Sequence, residues 1–413
     1  MRPTNYQDRA LMCDGVPLAG IAEREGTPCY VYSAATIVGN YRAYANAFGD
    51  TPHAVCYSVK SNGSLALLRL LAAEGAGFDI VSGGELFRVL KAGGDPARVV
   101  FSGVGKTSAE IDAALEAGIF VFNAESEPEL ALIDSLAHRR GLKARVAVRV
   151  NPGVEASTHA YISTGGKAHK FGIDIDQAEA VYCRAKEYPN LLLEGVSCHI
   201  GSQLTDQPQM LRAMDRVLEL IERLRTLQFP IRHVDLGGGL GIAYRPEDPE
   251  PDIAAFVASV REKTAGRGLH VMLEPGRSIV GNAGLMLTRV LYRKQTGDKE
   301  FVVVDAAMND LIRPALYSAH HEILPVRVTD MPPLRADIVG PICETGDFLA
   351  RDREMPEVFP GDVLAVCTTG AYGFVQASTY NARPRPAEVL IENGQWRVIR
   401  ERETFEDLIR GET

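Results

Sequence analysis

Several residue types that could carry out chemistry on a small anionic molecule stand where short apolar runs of this 413-residue chain end. A lysine can attach covalently to an aldehyde, glycine-rich turns present backbone N–H groups to a phosphate, and a carboxylate can pair with a protonated ring nitrogen. Considered singly, such a lysine is most often solvated, a histidine structural and a glycine triplet a plain turn. These residues could form one functional site only if the fold brings them together. They are Lys60, Asp79, His199, Asp235, Gly237, Gly238, Gly239, Glu274, Gly276 and Arg277.

The elements that would position these residues follow a regular pattern. From about position 53, nearly continuous apolar runs alternate with amphipathic stretches such as LALLRLLAAEG and MLRAMDRVLELIERLRTLQ. Apolar runs of this kind indicate parallel strands covered on both faces, and their strict alternation with helices predicts an α/β fold. A count of eight strands favours a closed (β/α)₈ TIM-type barrel over an open sheet: 53–60, 77–82, 99–103, 120–124, 144–151, 193–200, 233–237 and 270–276.

In a barrel of this type the C-terminal strand ends converge on one mouth. The polar residues at those ends would then share one pocket, which favours a functional site over scattered surface charges. The first five strands start 21 to 24 residues apart, whereas the sixth follows the fifth after 49 residues. The extra length predicts an inserted loop over 151–172 at the functional face of the barrel.

The rest of the chain has a different rhythm. Beyond about 284 the sequence alternates strands and turns with little helix, and ENGQ predicts a hairpin. We therefore expect three parts: an N-terminal segment, 1–34, that contains the strand-like TPCYVYS and packs with the β domain; the barrel, 35–284; and a C-terminal all-β sandwich or barrel domain, 285–413.

The composition excludes several classes of protein. The chain has 44 Lys+Arg against 53 Asp+Glu and a net charge of −9, which argues against a nucleic-acid-binding surface. Its seven cysteines include no C-x-x-C pair, so we expect no disulfide framework, no metal site and a reducing compartment. The first residues lack a signal-peptide pattern, and no apolar stretch approaches the roughly 20 residues of a membrane span. These features predict a soluble, cytoplasmic protein.

Three short stretches resemble known motifs only in part. GVGKT at 103–107 lacks the first glycine of a P-loop, because Val100 occupies that position. DLGGGLG at 235–241 would need glycine at Ile242 to match a dinucleotide fingerprint. HHEIL at 320–324 is not the H-E-x-x-H of a zinc protease. None of these three readings is supported.

The chemistry of the strand-end residues is more specific. Glycine turns for a phosphate, Lys60 for an aldehyde, Glu274 for a protonated ring nitrogen and His199 to stack on a planar ring together describe pyridoxal phosphate. Barrels often hold phosphate after strands 7 and 8. A barrel acting on sugar phosphates could also use a lysine and glycines, so the residues alone leave both possibilities open.

Longer motifs resemble one family over roughly residues 27–390. The chain is similar to the fold-type III pyridoxal-phosphate decarboxylases, which include the ornithine and arginine decarboxylases, and above all to the diaminopimelate decarboxylases. The similarity lies in YSVKSN (57–62), FDIVSGGEL (78–86), SCHIGSQ (197–203), DLGGGLG (235–241), EPGR (274–277), RPALY (313–317), GPICETGDFLA (340–350) and GAYGFVQASTYNARPRPAEVL (370–390). The stretch RVNPGV…THAYISTGGKAHKFGI resembles the family's fifth-strand loop, whereas YSVKSN departs slightly from the commoner YAVKAN.

The resemblance implies roles for the residues that bind the cofactor. Lys60 would form the Schiff base, His199 would stack on the ring and Glu274 would keep the pyridine nitrogen protonated. Ser202 and the glycines at 237–239 would hold the phosphate. Cofactor contacts are also implied for Asp79, Gly276, Arg277 and Tyr372.

The resemblance also implies how the substrate is held. Arg277, Arg313, Tyr317, Glu344 and Tyr372 would bind it, the arginines taking a distal carboxylate and Glu344 a distal ammonium. Cys343 would protonate Cα from the partner chain of a homodimer whose active sites are shared, and the other six cysteines would fill the core. The expected reaction converts meso-2,6-diaminopimelate to L-lysine and CO₂, the last step of lysine biosynthesis.

Two alternatives remain open at this stage. One is a related decarboxylase that acts on ornithine, a carboxyspermidine or a carrier-bound amino acid. The other is a catalytically silent relative with the same fold. The second predicts damage at the lysine or the cysteine, and both Lys60 and Cys343 are intact.

Overall fold

The structure is a computed structural model that describes residues 3–154, 170–205, 207–328 and 330–413. Most of the predicted inserted loop, 155–169, lies outside the described residues. The chain forms two compact units. The barrel unit comprises Asn40–Ile242 and Glu250–Ser278, and the β unit comprises Met1–Gly39, Ala243–Pro249 and Ile279–Thr413.

Within the described residues, eight parallel strands form a closed ring in the barrel unit. The ring closes because the fourth strand pairs with the fifth and the eighth pairs with the first. This arrangement confirms the predicted (β/α)₈ barrel. In chain order the strands are His53–Ser58, Gly77–Ile80, Val99–Phe101, Val121–Ala124, Ala144–Asn151, Leu191–Cys198, His233–Asp235 and His270–Leu273.

Six of these strands end two or three residues earlier than the sequence predicts. The apolar run continues past the end of the first strand, but the backbone there turns away from its neighbours. Lys60 consequently lies in a short 3₁₀ turn, Val59–Ser61, instead of on the strand. Lys60, His199 and Glu274 therefore lie in the first turns after the strands, whereas Asp79 and Asp235 lie at the ends of their strands.

Several helices of the barrel unit begin at residues whose side chains cap the first turn. The Ser82 side chain accepts a hydrogen bond from the backbone N–H of Glu85, and Thr107 forms a capping box with Glu110. Such caps satisfy the N–H groups that the first helical turn leaves without partners. The helices are Ala34–Phe48, which crosses into the β unit, Leu65–Ala73, Gly83–Ala92, Ser108–Ala117, Glu127–Arg140, Ala178–Ala185, Gln207–Thr226 and Ile253–Thr264.

Side chains from five strands fill the barrel interior. These side chains are almost completely buried, with no more than 1% of each exposed. They are Cys56, Val100, Val121, Ala147 and Met272. Removing such side chains from water is the main source of stability, at about 25 cal/mol per Å² of apolar surface. This packed layer separates the two ends of the barrel.

Three histidines lie at the end of the barrel opposite the strand C-termini. His53, His233 and His270 begin three neighbouring strands, and we call them the histidine cluster. The Phe120 ring centroid lies 5.5 Å from that of His233 and 6.3 Å from that of His270. A Cβ atom at Gly195 would overlap the His233 ring, so this ring fits only because residue 195 has no side chain.

The β unit contains a small and a large sheet among the described residues. The small sheet is formed by Thr4–Gln7, Ala10–Cys13 and Val16–Pro17. In the large sheet, Cys29–Ser33 pairs antiparallel with residues 284–287 of the strand Gly284–Thr296 and parallel with the strand Ala387–Glu392. The large-sheet strands are Cys29–Ser33, Gly284–Thr296, Lys299–Val304, Ile323–Pro325, Pro333–Val339, Phe348–Pro356, Val363–Cys367, Ala387–Glu392 and Gln395–Arg400.

The pairing of Cys29–Ser33 confirms that the N-terminal strand joins the β domain. Sequence patterning did not predict Phe348–Pro356, whose DREMP half has no apolar alternation. Short helical elements connect the strands: Leu18–Glu25, Arg313–Tyr317, Phe374–Gln376, Tyr380–Ala382 and Phe405–Leu408. No helix in the described part of the chain is long and apolar enough to cross a membrane.

Candidate active site

Lys60 and Asp79 form an ion pair at the C-terminal end of the barrel strands. The Nζ atom of Lys60 donates to Oδ2 of Asp79 at 2.5 Å, and Ser58 Oγ donates to the same oxygen at 2.7 Å. Asp79 is fully buried, whereas a third of the Lys60 side chain is exposed. The buried carboxylate therefore holds the lysine amine at the mouth of the barrel.

A second cluster of carboxylates surrounds Glu274, which follows the eighth strand. Its Oε1 accepts from Ser102 Oγ at 3.2 Å and lies 3.4 Å from Nδ2 of Asn123. The same Asn123 amide donates to Oδ2 of Asp235 at 2.8 Å, so one neutral side chain bridges two buried acidic residues. These contacts connect the fourth, seventh and eighth strands.

Burial and the charges of this cluster raise the pKa of Glu274. Burial raises that pKa well above its usual range, and the nearby charges of Asp235 and Asp79 raise it further. Three buried acidic groups so close together favour a bound proton or a cationic partner. A protonated ring nitrogen placed against Glu274 would restore the carboxylate form.

The glycine turn after the seventh strand packs on the loop after the sixth. Gly237 and Gly239 have φ values of +66° and +111°, which side-chain-bearing residues rarely adopt. A Cβ at Gly237 would lie 2.6 Å from the Cys198 carbonyl oxygen. The Gly238 N–H donates to Nδ1 of His199 at 3.2 Å. The glycines thus bring backbone amides and the imidazole to one place.

His199 is a neutral imidazole in this environment. Burial lowers its pKa well below the usual range, and the positive charges of Arg149 and Lys60 lower it further. Arg149 itself forms a buried ion pair with Glu125, at 2.7 Å from Nη1 to Oε1. A neutral flat ring of this kind can stack on another planar ring without adding charge.

Arg277 and Ser202 are in contact on the same side of the barrel. Nη2 of Arg277 lies 3.0 Å and Nε lies 3.3 Å from Ser202 Oγ. Gly276 precedes this arginine, and a Cβ there would come within 2.9 Å of the Ser58 Cβ. The absence of a side chain at 276 therefore lets the 274–277 segment pack against the lysine turn.

The remaining predicted residues lie in the β unit. Arg313 and Tyr317 begin and end the short helix Arg313–Tyr317, with Arg313 buried and Tyr317 half-buried. Tyr372 has a left-handed backbone, with φ of +54°. None of these three positions lies in a strand of the unit.

Cys343 and Glu344 stand together in an exposed turn of the β unit. The Cys343 N–H donates to Oδ1 of Asn381 at 3.1 Å, and Tyr380 OH donates to Oε2 of Glu344 at 3.0 Å. The expectation that the other six cysteines fill the core is wrong for Cys183. That cysteine is exposed on the outer face of a helix, and the remaining five are buried.

Sequence reasoning missed the polar side chains inside the strands. Asn123 and Ser102 contact Glu274, and Ser58 contacts Asp79, but each occurs within or just after an apolar run. A polar residue in a strand that is otherwise wholly apolar is the signal that could have found them. The Glu125–Arg149 pair carries the same signal.

The sequence matches a known family model across residues 34–281. That model describes the pyridoxal-binding domain of the pyridoxal-dependent decarboxylases. The chain belongs to this family. Its matched region contains every barrel residue discussed above, from Lys60 to Arg277.

Individual relatives place the chain among the diaminopimelate decarboxylases. It is 56% identical to the diaminopimelate decarboxylase of Pseudomonas aeruginosa, across 99% of this chain and 98% of that one. The solved diaminopimelate decarboxylase of Helicobacter pylori in complex with L-lysine has a TM-score of 0.92 and 40% identity, covering 95% and 98% of the two chains. The solved diaminopimelate decarboxylase of M. jannaschi has a TM-score of 0.94 and 40% identity, covering 100% of this chain and 98% of that one.

This pyridoxal-dependent decarboxylase has a barrel whose described residues fit the cofactor. The acidic cluster at Glu274 suits a cationic ring nitrogen, because such a partner lowers the cost of burying the charge. Buried polar atoms of three residues have no hydrogen-bond partner among the described residues and could meet a ligand: Asp79 Oδ1, Asn123 Oδ1 and Ser197 Oγ. At the glycine turn, 237–239, a Cβ atom would collide with neighbouring atoms, so the absence of side chains leaves the backbone able to approach its surroundings closely.

Proposed function

We propose that this enzyme decarboxylates meso-2,6-diaminopimelate to L-lysine and CO₂, the last step of lysine biosynthesis. The observation that supports the reaction type is the buried contact of Asn123 with both Glu274 and Asp235, within the barrel that also carries Lys60. The substrate is supported by the relatives, which are named diaminopimelate decarboxylases, and by the L-lysine bound in the Helicobacter pylori structure.

The barrel residues would hold and tune the cofactor. Pyridoxal phosphate, when bound, supplies an electron sink for the electron pair left when a carboxylate departs as CO₂. The ε-amine of Lys60 would attach to its aldehyde, and Asp79 would orient that amine through the 2.5 Å contact. Glu274 would hold the proton on the ring nitrogen, where a nearby anion favours the protonated form.

The other barrel residues and Tyr372 would orient the bound molecule. The neutral ring of His199 would stack on the cofactor ring, and its Nδ1 is already fixed by the Gly238 amide. Ser202 and the glycine turn, 237–239, would hold the phosphate. Gly276 and Tyr372 would complete the cofactor contacts, and Arg277 would contact both cofactor and substrate.

The distal end of the substrate carries both an ammonium and a carboxylate. Arg277 and Arg313 would bind the carboxylate, since guanidinium groups match carboxylates with two parallel hydrogen bonds. Glu344 would accept the ammonium, and Tyr317 and Tyr372 would add hydroxyl contacts. Glu344 lies in an exposed turn, which leaves it available to another chain.

We further propose that two chains share their active sites in a homodimer. Cys343 would enter the partner's site with Glu344 and deliver a proton to Cα after CO₂ leaves. The exposed positions of both residues support this arrangement. The N-terminal segment 1–34 would belong to the β domain, supported by the pairing of Cys29–Ser33. Seven free thiols support a reducing compartment such as the cytoplasm.

The proposal is tested by measuring CO₂ release from meso-diaminopimelate with and without added pyridoxal phosphate. We expect turnover that depends on the cofactor and yields L-lysine in equal amount. L-Ornithine serves as the comparison substrate at the same concentration. Turnover of ornithine without turnover of diaminopimelate would contradict the proposed substrate, and absence of both would contradict the reaction.

A further inference from the structure

The guanidinium of Arg313 is held by a histidine within the β unit. Nη1 of Arg313 lies 3.0 Å from Nε2 of His321, and both side chains are buried. His321 belongs to the HHEIL stretch, which matches no metalloprotease motif. This contact gives the stretch a structural purpose.

The second nitrogen of His321 determines which tautomer is present. Its Nδ1 lies 2.9 Å from the backbone oxygen of Cys367, which can only accept a hydrogen bond. Nδ1 must therefore carry the proton, and Nε2 is left to accept from Arg313. The backbone around Cys367 is fixed as well, because its N–H donates to the backbone carbonyl oxygen of Glu322 at 2.8 Å.

An aromatic ring restricts the guanidinium further. The Cζ atom of Arg313 lies 4.8 Å from the ring centroid of Tyr244. The same ring meets His321 edge-on, with centroids 5.5 Å apart and an interplanar angle of 85°. A cation over an aromatic face and a hydrogen bond to an imidazole together limit both the position and the plane of the guanidinium.

We propose that His321 is a positioning residue for the substrate, acting through Arg313. Its neutral imidazole orients the guanidinium toward the distal carboxylate, and this contact leaves the positive charge of Arg313 undiminished. A carboxylate in the same place would cancel much of that charge and weaken substrate binding. The inference rests on the proposed function, because it requires Arg313 to bind the substrate's distal end.

Two substitutions separate the roles of the two ring nitrogens. In His321→Asn, the amide can replace the Nδ1 donor to Cys367 but cannot reach Arg313. In His321→Gln, the longer amide places its oxygen near the Nε2 position and can still accept from Arg313. We expect His321→Asn to raise KM for meso-diaminopimelate about tenfold, the cost of one lost bond to a charged group, with kcat within about threefold. His321→Gln should keep KM within about threefold of wild type.

Product inhibition provides an independent readout. L-Lysine keeps the distal carboxylate of the substrate and lacks only the reacting one. Its inhibition constant should therefore rise in His321→Asn by the same factor as KM. His320→Asn is the matched control, because the His320 ring contacts Arg353 instead of Arg313; neither constant should change there.

The results distinguish this inference from a purely structural role. Equal changes in KM for the Asn and Gln variants, or unchanged KM in both, would overturn it while wild-type turnover keeps the proposed function intact. If His321→Asn does not fold, Tyr244→Leu provides the second test and should also raise KM and the lysine inhibition constant together. Lack of wild-type turnover on diaminopimelate would overturn the proposed function, and this inference with it.

Discussion

The side-chain amide of Asn123 lies 2.8 Å from Oδ2 of Asp235, across the barrel interior from the fourth strand to the seventh. The same amide lies 3.4 Å from Glu274 Oε1, so a single neutral group contacts two buried acidic residues. Hydrogen bonds to charged groups contribute more than neutral ones, and losing the donor leaves the acceptor desolvated. Asn123 is therefore central to the stability of the acidic cluster.

Replacing Asn123 by leucine should destabilise the folded protein. We expect Asn123→Leu to lower the free energy of unfolding by about 1.5–3 kcal/mol, because buried acceptors lose their donor. Denaturant unfolding of the cofactor-free protein measures this effect. Asn46→Leu, on an exposed helical face, is the control and should change stability by less than about 0.5 kcal/mol. Equal stability of the two variants would contradict the importance of the bridge.

Replacing Lys60 by alanine should prevent covalent retention of pyridoxal phosphate. The cofactor would lose the amine to which it attaches, so borohydride treatment followed by mass spectrometry should detect no added mass. Lys91→Ala removes an exposed lysine of the same unit and should retain the full adduct and activity. An adduct of unchanged yield in Lys60→Ala would place the attachment at a different lysine.

Replacing Cys343 by alanine should reduce turnover by about 10²- to 10⁴-fold, the usual contribution of a general acid. Substrate binding should change little, since the thiol acts only when Cα is protonated. Cys183→Ala is a matched control, because Cys183 is the other exposed cysteine. A loss of activity in both variants would indicate that thiols matter for some reason other than proton delivery.

Mixed dimers extend the test of Cys343 to the shared site. Refolding Lys60→Ala chains with an equal amount of Cys343→Ala chains should restore about a quarter of the wild-type sites. Half of the dimers would contain both chains, and each of these would have one intact site. Activity no greater than that of the separate variants would show that each chain builds its site alone.

Acidification should destabilise the barrel through the histidine cluster. Burial lowers the pKa of His233 to about 4, with smaller effects of His270 and Arg145. An unfolded histidine titrates near 6.5, so between these values the unfolded chain binds more protons. The stability present above pH 6.5 should fall by about 3 kcal/mol as the pH approaches 4. Denaturant unfolding at pH 7 and pH 4.5 measures the loss, which should be smaller in His233→Leu.

The barrel was predictable because of how its strands are buried. Parallel strands covered on both faces must be apolar throughout, and this property marks all eight of them in the sequence. Their ends were less predictable, because Val59 continues the apolar run after the backbone has left the strand. The β unit depends on distant pairings, such as Cys29–Ser33 beside Ala387–Glu392, that local patterns do not encode.

The active-site residues divide in a similar way. Lys60, Asp79 and Glu274 could be found because they lie at or just after strand ends, where a barrel places its functional groups. Asn123 could not be assigned to the cluster, since nothing in the sequence indicates which interior side chains face one another. The contact of His321 with Arg313 could not be predicted, because only the folded chain around the short helix Arg313–Tyr317 brings the two side chains together.

The close approach of Gly195 and the His233 ring restricts the order in which the two positions can vary. A side chain at position 195 collides with the imidazole of His233. A substitution that adds a side chain at 195 must therefore be preceded by a substitution to a smaller residue at 233. The reverse order passes through a clash, while a protein that first loses the histidine crosses only a cavity. Substitutions at these two sites should therefore be epistatic, with one accessible mutational path between the two tolerated states.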